Sequence, residues 1–143
     1  MINIDKRNEI FHLSGETYSY VFDLYRGKPR LLHFGAKIDD VELTALRRYR
    51  YLSFSPMAVE AVYQSYCEQP LEFSEFGHGD FGTPAVQIEG DGFISTDYRY
   101  TGYEILPAHP TAGELPLFRG GETLAIGMHD EVSDSSVTLY YTV

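Results

Sequence analysis

The chain contains no tryptophan and a single cysteine, Cys67. One thiol cannot form an internal disulfide, which excludes a disulfide scaffold and fits a reducing compartment. Basic residues are also scarce. Lys and Arg number 11 against 21 Asp and Glu, for a net charge of −10. So acidic a surface repels phosphate backbones and anionic bilayers, arguing against nucleic-acid and peripheral-membrane partners. No stretch approaches the ~18 uninterrupted apolar residues of a membrane span. The N-terminal residues Met1 to Arg7 lack the apolar centre of a signal peptide. The expectation is a soluble, cytoplasmic chain of 143 residues forming one domain. A domain of this size buries about 68–70% of its unfolded surface and needs no disulfide or structural metal.

What is abundant points to strands. Twelve Tyr and nine Phe suit pleated, half-buried surfaces, and 13 Gly with seven Pro punctuate turns. From Thr17 to Tyr25 the residues alternate, with Tyr18, Tyr20, Phe22 and Leu24 on the face predicted to pack inward. Thr17, Ser19, Val21 and Asp23 then face outward. Gly27-Lys28-Pro29 reads as a turn and Arg30 to Ile38 as the return strand. Ile10 to Leu13 reads as a short opening strand. Ala85 to Ile88 and Phe93 to Asp97 flank Glu89-Gly90-Asp91-Gly92, a hairpin signal. Tyr98 to Leu106 continues as a strand, broken or bulged at Gly102. Leu124 to Met128 pairs with Ser136 to Val143 across a polar turn from Asp130 to Ser135. Short strands at this spacing predict an all-β antiparallel sandwich. One short helix is expected where Ser55 caps and Pro56 opens the first turn, within Ser55 to Tyr66. Asp39 to Leu52 reads as a long loop. The aromatic strand that ends at Val143 reads as the edge of a domain cut from a longer protein.

No catalytic constellation emerges. The five histidines, His12, His33, His78, His109 and His129, are scattered without zinc-type spacing. Neither metal nor cofactor is expected. Phosphate-cradling glycine loops and serine nucleophile elbows are absent. Paired carboxylates can hydrolyse glycosides. Glu72 with Glu75, Asp39 with Asp40, and Asp130 with Glu131 and Asp134 are neighbours of that kind. Among 21 acids such pairs arise by chance, so none is assigned to catalysis. Residues 129–131 lie in a turn, where a side chain bonding the turn backbone explains them. His78 and Asp80 lie between glycines that leave them accessible to a sugar hydroxyl or a partner. Asp80 equally suits a turn cap, with Phe81 plugging the core. Arg47, Arg48 and Arg50 are substrate-binding candidates on charge alone, the alternative being salt bridges on an acidic surface.

Segments along nearly the whole chain carry a resemblance. They are Phe11-His12-Leu13 with Ser19-Tyr20, Gly35-Ala36-Lys37 after His33-Phe34, Pro70-Leu71-Glu72-Phe73, Gly79-Asp80-Phe81 and Pro84-Ala85. Thr96 to Tyr100, Leu115-Pro116, Glu122-Thr123-Leu124, Asp130-Glu131-Val132 and Val137 to Thr142 follow in order. In these the sequence resembles the N-terminal β-sandwich domain of family 36 glycoside hydrolases, the bacterial α-galactosidases. It departs at Gly82, where an Arg commonly follows Asp-Phe, and between Asp39 and Gln69. The resemblance implies a supersandwich-like domain, residues 1–143, ahead of a catalytic (β/α)8 barrel and a C-terminal sheet domain. The two aspartates of a retaining mechanism would lie in that barrel, leaving this chain without catalytic residues. The longer enzyme would remove terminal α-linked galactose from oligosaccharides such as melibiose and raffinose. Its partners would be its own barrel, a galactoside substrate and further copies of itself. In such oligomers an N-terminal-domain loop reaches a neighbour's active site, and the matching stretch here is Asp39 to Gln69. Two other classes are open: a free-standing carbohydrate-binding sandwich, disfavoured by the absence of Trp as a sugar platform, and a pure assembly domain.

Overall fold

The computed structural model describes residues 1–38, 42–47, 69–75, 83–88, 95–108, 110 and 121–143. Among these, seven strands form two antiparallel sheets, giving the all-β sandwich expected from the alternation. The first sheet has the order β1-β2-β3-β4, from β1 (Ile2–Asp5), β2 (Ile10–Ser14), β3 (Tyr18–Tyr25) and β4 (Lys28–Ala36). The second has the order β5-β6-β7, from β5 (Arg99–Leu106), β6 (Thr123–Asp130) and β7 (Ser135–Thr142).

The layers meet through aromatic and aliphatic side chains on alternate positions. Phe11 of β2 stacks on Phe22 of β3 with ring centres 4.8 Å apart, and Phe22 stacks on Tyr141 of β7 at 4.9 Å. Tyr103 of β5 meets Phe11 edge-on at 5.7 Å. Leu13, Tyr98, Leu124, Ile126 and Met128 complete the buried cluster. Offset and edge-on geometries of this kind add to the area term that dominates such a core. Phe22 is fully buried, Tyr20 and Leu24 pack against the same cluster, and Tyr18 reaches the rim and is exposed.

Several expectations change. The β3–β4 turn is Arg26-Gly27, not Gly27-Lys28-Pro29. Both residues have positive φ, 53° and 78°, and Tyr25 pairs with Lys28, a two-residue turn whose twist matches the strands. Pro29 therefore lies inside β4. It is tolerated there because its position faces the outer edge, where its carbonyl accepts the Glu72 N–H and no ladder donor is lost. A strand at Ile2–Asp5 joins the sheet. Ala85 to Ile88 forms no strand. Its described backbone contact is the Ala85 N–H to the Ser74 carbonyl, while Val86 and Ile88 pack on the core. Within the expected loop a short 3-10 turn runs over Leu43–Leu46. The helix expected at Ser55 and the Glu89–Gly92 hairpin tip lie outside the described residues. The bulge expected at Gly102 is present, as a register shift between Tyr100 and Gly102.

The outward face of β3 is not solvated. Ser19, Val21, Asp23 and Tyr25 are buried, more fully than Tyr18, Tyr20 and Leu24 of the inward set. Ser19 Oγ accepts the Ile38 N–H at 2.9 Å and lies 2.8 Å from His12 Nε2. Asp23 is held by arginines, and segments 42–47 and 69–72 supply the cover. The turn before β4 also ties the sheets together. Tyr100 N–H donates to the Gly27 carbonyl at 2.8 Å, and Arg99 Nη1 to the Arg26 carbonyl at 2.6 Å.

Candidate functional site

The carboxylates that could perform acid–base chemistry are each occupied differently. Glu72 lies where the two sheets meet. Tyr20 Oη donates to its two oxygens at 2.7 and 2.6 Å, and Tyr141 Oη donates at 3.2 Å. Burial pushes the Glu72 carboxyl above its ordinary value, against the lowering effect of the two phenol bonds. The same burial, with the neighbouring carboxylate, raises both phenols. The result is a clamp between β3 and β7.

Glu75 has other partners. It is buried, ion-paired with Lys28 Nζ, and accepts the Tyr98 N–H at 2.9 Å. Lys28 Nζ also reaches Asp97 at 3.0 Å and donates to the Tyr98 carbonyl at 3.2 Å. Burial alone would raise Asp97, but bonds from Arg99 and Lys28 outweigh it and hold the carboxyl below the usual range. Asp130 is buried as well. Burial is again outweighed, by bonds from Ser133 and the Asp97 N–H, so its carboxyl is also lowered. Asp130 Oδ2 accepts the Ser133 N–H at 2.8 Å, the turn-bonding role the sequence suggests for this segment. Thus Glu72 and Glu75, three residues apart in sequence, hold up different parts of the sandwich. Neither lines the groove beside β4.

The described concavity is elsewhere. A groove of about 350 Å³ is lined by Arg30–Phe34 of β4 together with Leu46, Gln69 and Pro70. Two of its lining residues, Arg30 and Gln69, belong to the Asp23 network. Arg30 donates from Nε and Nη2 to the two Asp23 oxygens at 2.9 and 2.7 Å, and from Nη1 to Gln69 Oε1 at 3.0 Å. The Arg30 guanidinium also sits 4.4 Å from the centre of the Tyr25 ring. Arg47 Nε donates to Asp23 Oδ2 at 2.7 Å, and its Nη2 donates to the Asn8 carbonyl.

Of the five candidates read from the sequence, Arg47 is described, and its guanidinium is engaged on Asp23 and Asn8. Arg48, Arg50, His78 and Asp80 lie outside the described residues. Sequence reasoning missed Asp23 and Arg30, because a charged residue at an outward strand position reads as solvated. Among the described residues no cluster of three His, Cys, Asp or Glu could hold a metal, and no helix is long and apolar enough to cross a membrane.

Comparison with known proteins places this arrangement. The model of the Glycosyl hydrolase family 36 N-terminal domain matches residues 27–143. Alpha-galactosidase 1 of Pediococcus pentosaceus is 31% identical over all of this chain and 21% of its own length. Alpha-galactosidase Mel36A of Lactobacillus acidophilus is 27% identical, again over all of this chain and 21% of its own. Among solved structures, the GH36 alpha-galactosidase AgaB from Geobacillus stearothermophilus is similar with a TM-score of 0.78 and 30% identity, over 100% of this chain and 20% of that one. The alpha-galactosidase from Lactobacillus brevis shares the fold with a TM-score of 0.84 at 23% identity, over 99% of this chain and 20% of that one. The chain therefore spans about a fifth of the length of the relatives it matches. By the family match and by the fold, it belongs to the N-terminal domain of glycosyl hydrolase family 36.

Proposed function

We propose that this chain, residues 1–143, is a non-catalytic β-sandwich domain at the N-terminus of an α-galactosidase. The whole enzyme removes terminal α-linked galactose from oligosaccharides such as melibiose and raffinose. The sandwich supports a catalytic barrel supplied by the rest of that protein and takes part in assembling a cytoplasmic homo-oligomer. One observation carries the reading: this chain is covered completely by alpha-galactosidases of which it spans only a fifth. Its own chemistry agrees, since the described buried acids are taken up by tyrosines, backbone N–H groups, Lys28 and arginines. In this reading the stretch between Asp39 and Gln69 meets a neighbouring subunit.

Activity measured on the chain alone tests it. With a chromogenic α-galactoside, turnover is expected to match a buffer blank. Turnover above the blank, lost on mutating any acid of this chain, would place the chemistry here and overturn the reading. A free-standing carbohydrate-binding module would instead retain affinity for immobilised galactosides without any further domain. The exposed Phe34 gives such a module an aromatic face to use.

A further inference from the structure

The Asp23–Arg30 pair draws its further hydrogen-bond partners from two separate segments of the chain. Two parallel bonds from Arg30 use one lone pair on each Asp23 oxygen and two of the five guanidinium N–H groups. Asp23 takes a third bond, from Arg47, and Arg30 makes a third, to Gln69. Arg47 and Gln69 are the described residues on either side of positions 48–68. Each is further secured in its own way. Arg47 reaches the Asn8 carbonyl, and its N–H donates to the Thr44 carbonyl at 3.1 Å. Beyond Gln69, the Leu31 N–H donates to Pro70 at 2.8 Å, the Glu72 N–H donates to Pro29 at 2.9 Å, and Arg30 bridges Leu71 in an antiparallel sense. Leu46 and Gln69 both line the groove beside β4.

We infer that the Asp23–Arg30 pair is a single anchor for two described segments, the roots 42–47 and 69–72, so that Arg47 and Gln69 are positioning residues that act as one unit. Both segments are then held at one fixed point rather than by two independent contacts. Its chemical logic is charge. Asp23 and Arg30 neutralise each other, so Arg47 brings the surplus positive charge to a partly exposed site, while neutral Gln69 closes the far side. The consequence for assembly rests on the reading that the stretch between Asp39 and Gln69 meets a neighbouring subunit.

Shared anchorage makes a prediction that separate contacts do not, because coupling between two sites through one element is reciprocal. The test is amide hydrogen exchange on the 143-residue chain with Arg47→Ala and Gln69→Ala. At the first root the reporters are the N–H groups of Ala45 and residue 47, and at the second those of Leu31 and Glu72. Arg47→Ala is expected to speed exchange about tenfold at its own root and several-fold at the other, and Gln69→Ala the reverse, with the β2–β3 ladder unchanged. Arg47→Lys, keeping the charge but only one of the two bonds, should fall between wild type and Arg47→Ala. The inference is overturned if each variant affects only its own root, if neither root changes, or if exchange rises equally throughout the sheets. Sedimentation of the same variants separates this inference from the functional reading. Cross-coupled exchange with unaltered self-association would leave the anchor standing and remove the neighbour contact.

Discussion

Glu72 shows how much one side chain can depend on the fold around it. Its phenol donors lie 52 and 69 residues away in sequence, in different sheets. Because burial raises its carboxyl, the folded chain holds that proton more tightly than the unfolded chain, whose value is near 4.5. The contribution of Glu72 to stability is therefore complete below that value and is lost as the pH climbs through the raised one. Asp97 and Asp130, both lowered, do the opposite: their contribution is present above about 3.8 and is lost as the pH falls. Glu72→Gln leaves those two in place and removes only the Glu72 term. Urea midpoints of variant and wild type should thus differ more against the variant at pH 4 than at pH 7. An equal difference at both values would show that the clamp does not sense its ionisation. Arg30→Ala is a harsher test of a buried residue. It strips Asp23 of its bidentate partner, leaves Arg47 as a partial substitute, and is expected to cost about 3–5 kcal/mol in the same measurement.

At the scale of elements, the β3–β4 hairpin carries visible strain. Arg26 has φ of 53°, where an L side chain other than Asn or Asp is disfavoured, and Gly27 follows it at 78°. Arg26→Asn produces the Asn-Gly pair that this turn prefers. It keeps the carbonyl that Arg99 uses and should raise the thermal midpoint, by about 0.5–1 kcal/mol of stability. A fall would mean that the contact of Arg26 with the Tyr25 ring, 5.8 Å from its centre, outweighs the backbone gain. The same hairpin shows what could be read from the sequence. Alternation from Thr17 to Tyr25 marks a strand, because only a two-residue period puts Tyr20, Phe22 and Leu24 on one side. The turn could not be placed by composition. Gly27-Lys28-Pro29 looks like a turn whether Pro29 bends the chain or sits on a sheet edge, and only the Glu72 contact decides. Charge misleads at Asp23, since a strand's outward carboxylate is usually wet. Its cover is built from Arg30, Arg47 and Gln69, brought together by pairing that no local pattern encodes. The five candidate positions were chosen by charge and accessibility, and the one described, Arg47, holds the fold with the charge that made it a candidate.

For the molecule as a whole, the question is what meets its apolar surface. Phe34 on β4 is 69% exposed although its ring lies 5.6 Å from that of Tyr20, so the interlayer seam opens to solvent there. Tyr140 on β7 and Ile105 on β5 are also exposed, and β7 lies at the end of its sheet's order. A strand edge without a pairing partner among the described residues, beside exposed aromatic rings, is a template for another chain. The domain is therefore expected to self-associate, with sedimentation coefficients that rise with concentration. Phe34→Ser and, separately, Tyr140→Lys should each lower that tendency while the urea transition of the variant stays a single cooperative one. The two variants also tell the surfaces apart. If Phe34→Ser alone restores the monomer, the seam between the sheets is the contact; if Tyr140→Lys alone does so, the β7 side is. A strict monomer at high concentration would show that neither surface binds a further copy, and would leave the catalytic barrel as the partner that the proposed function requires.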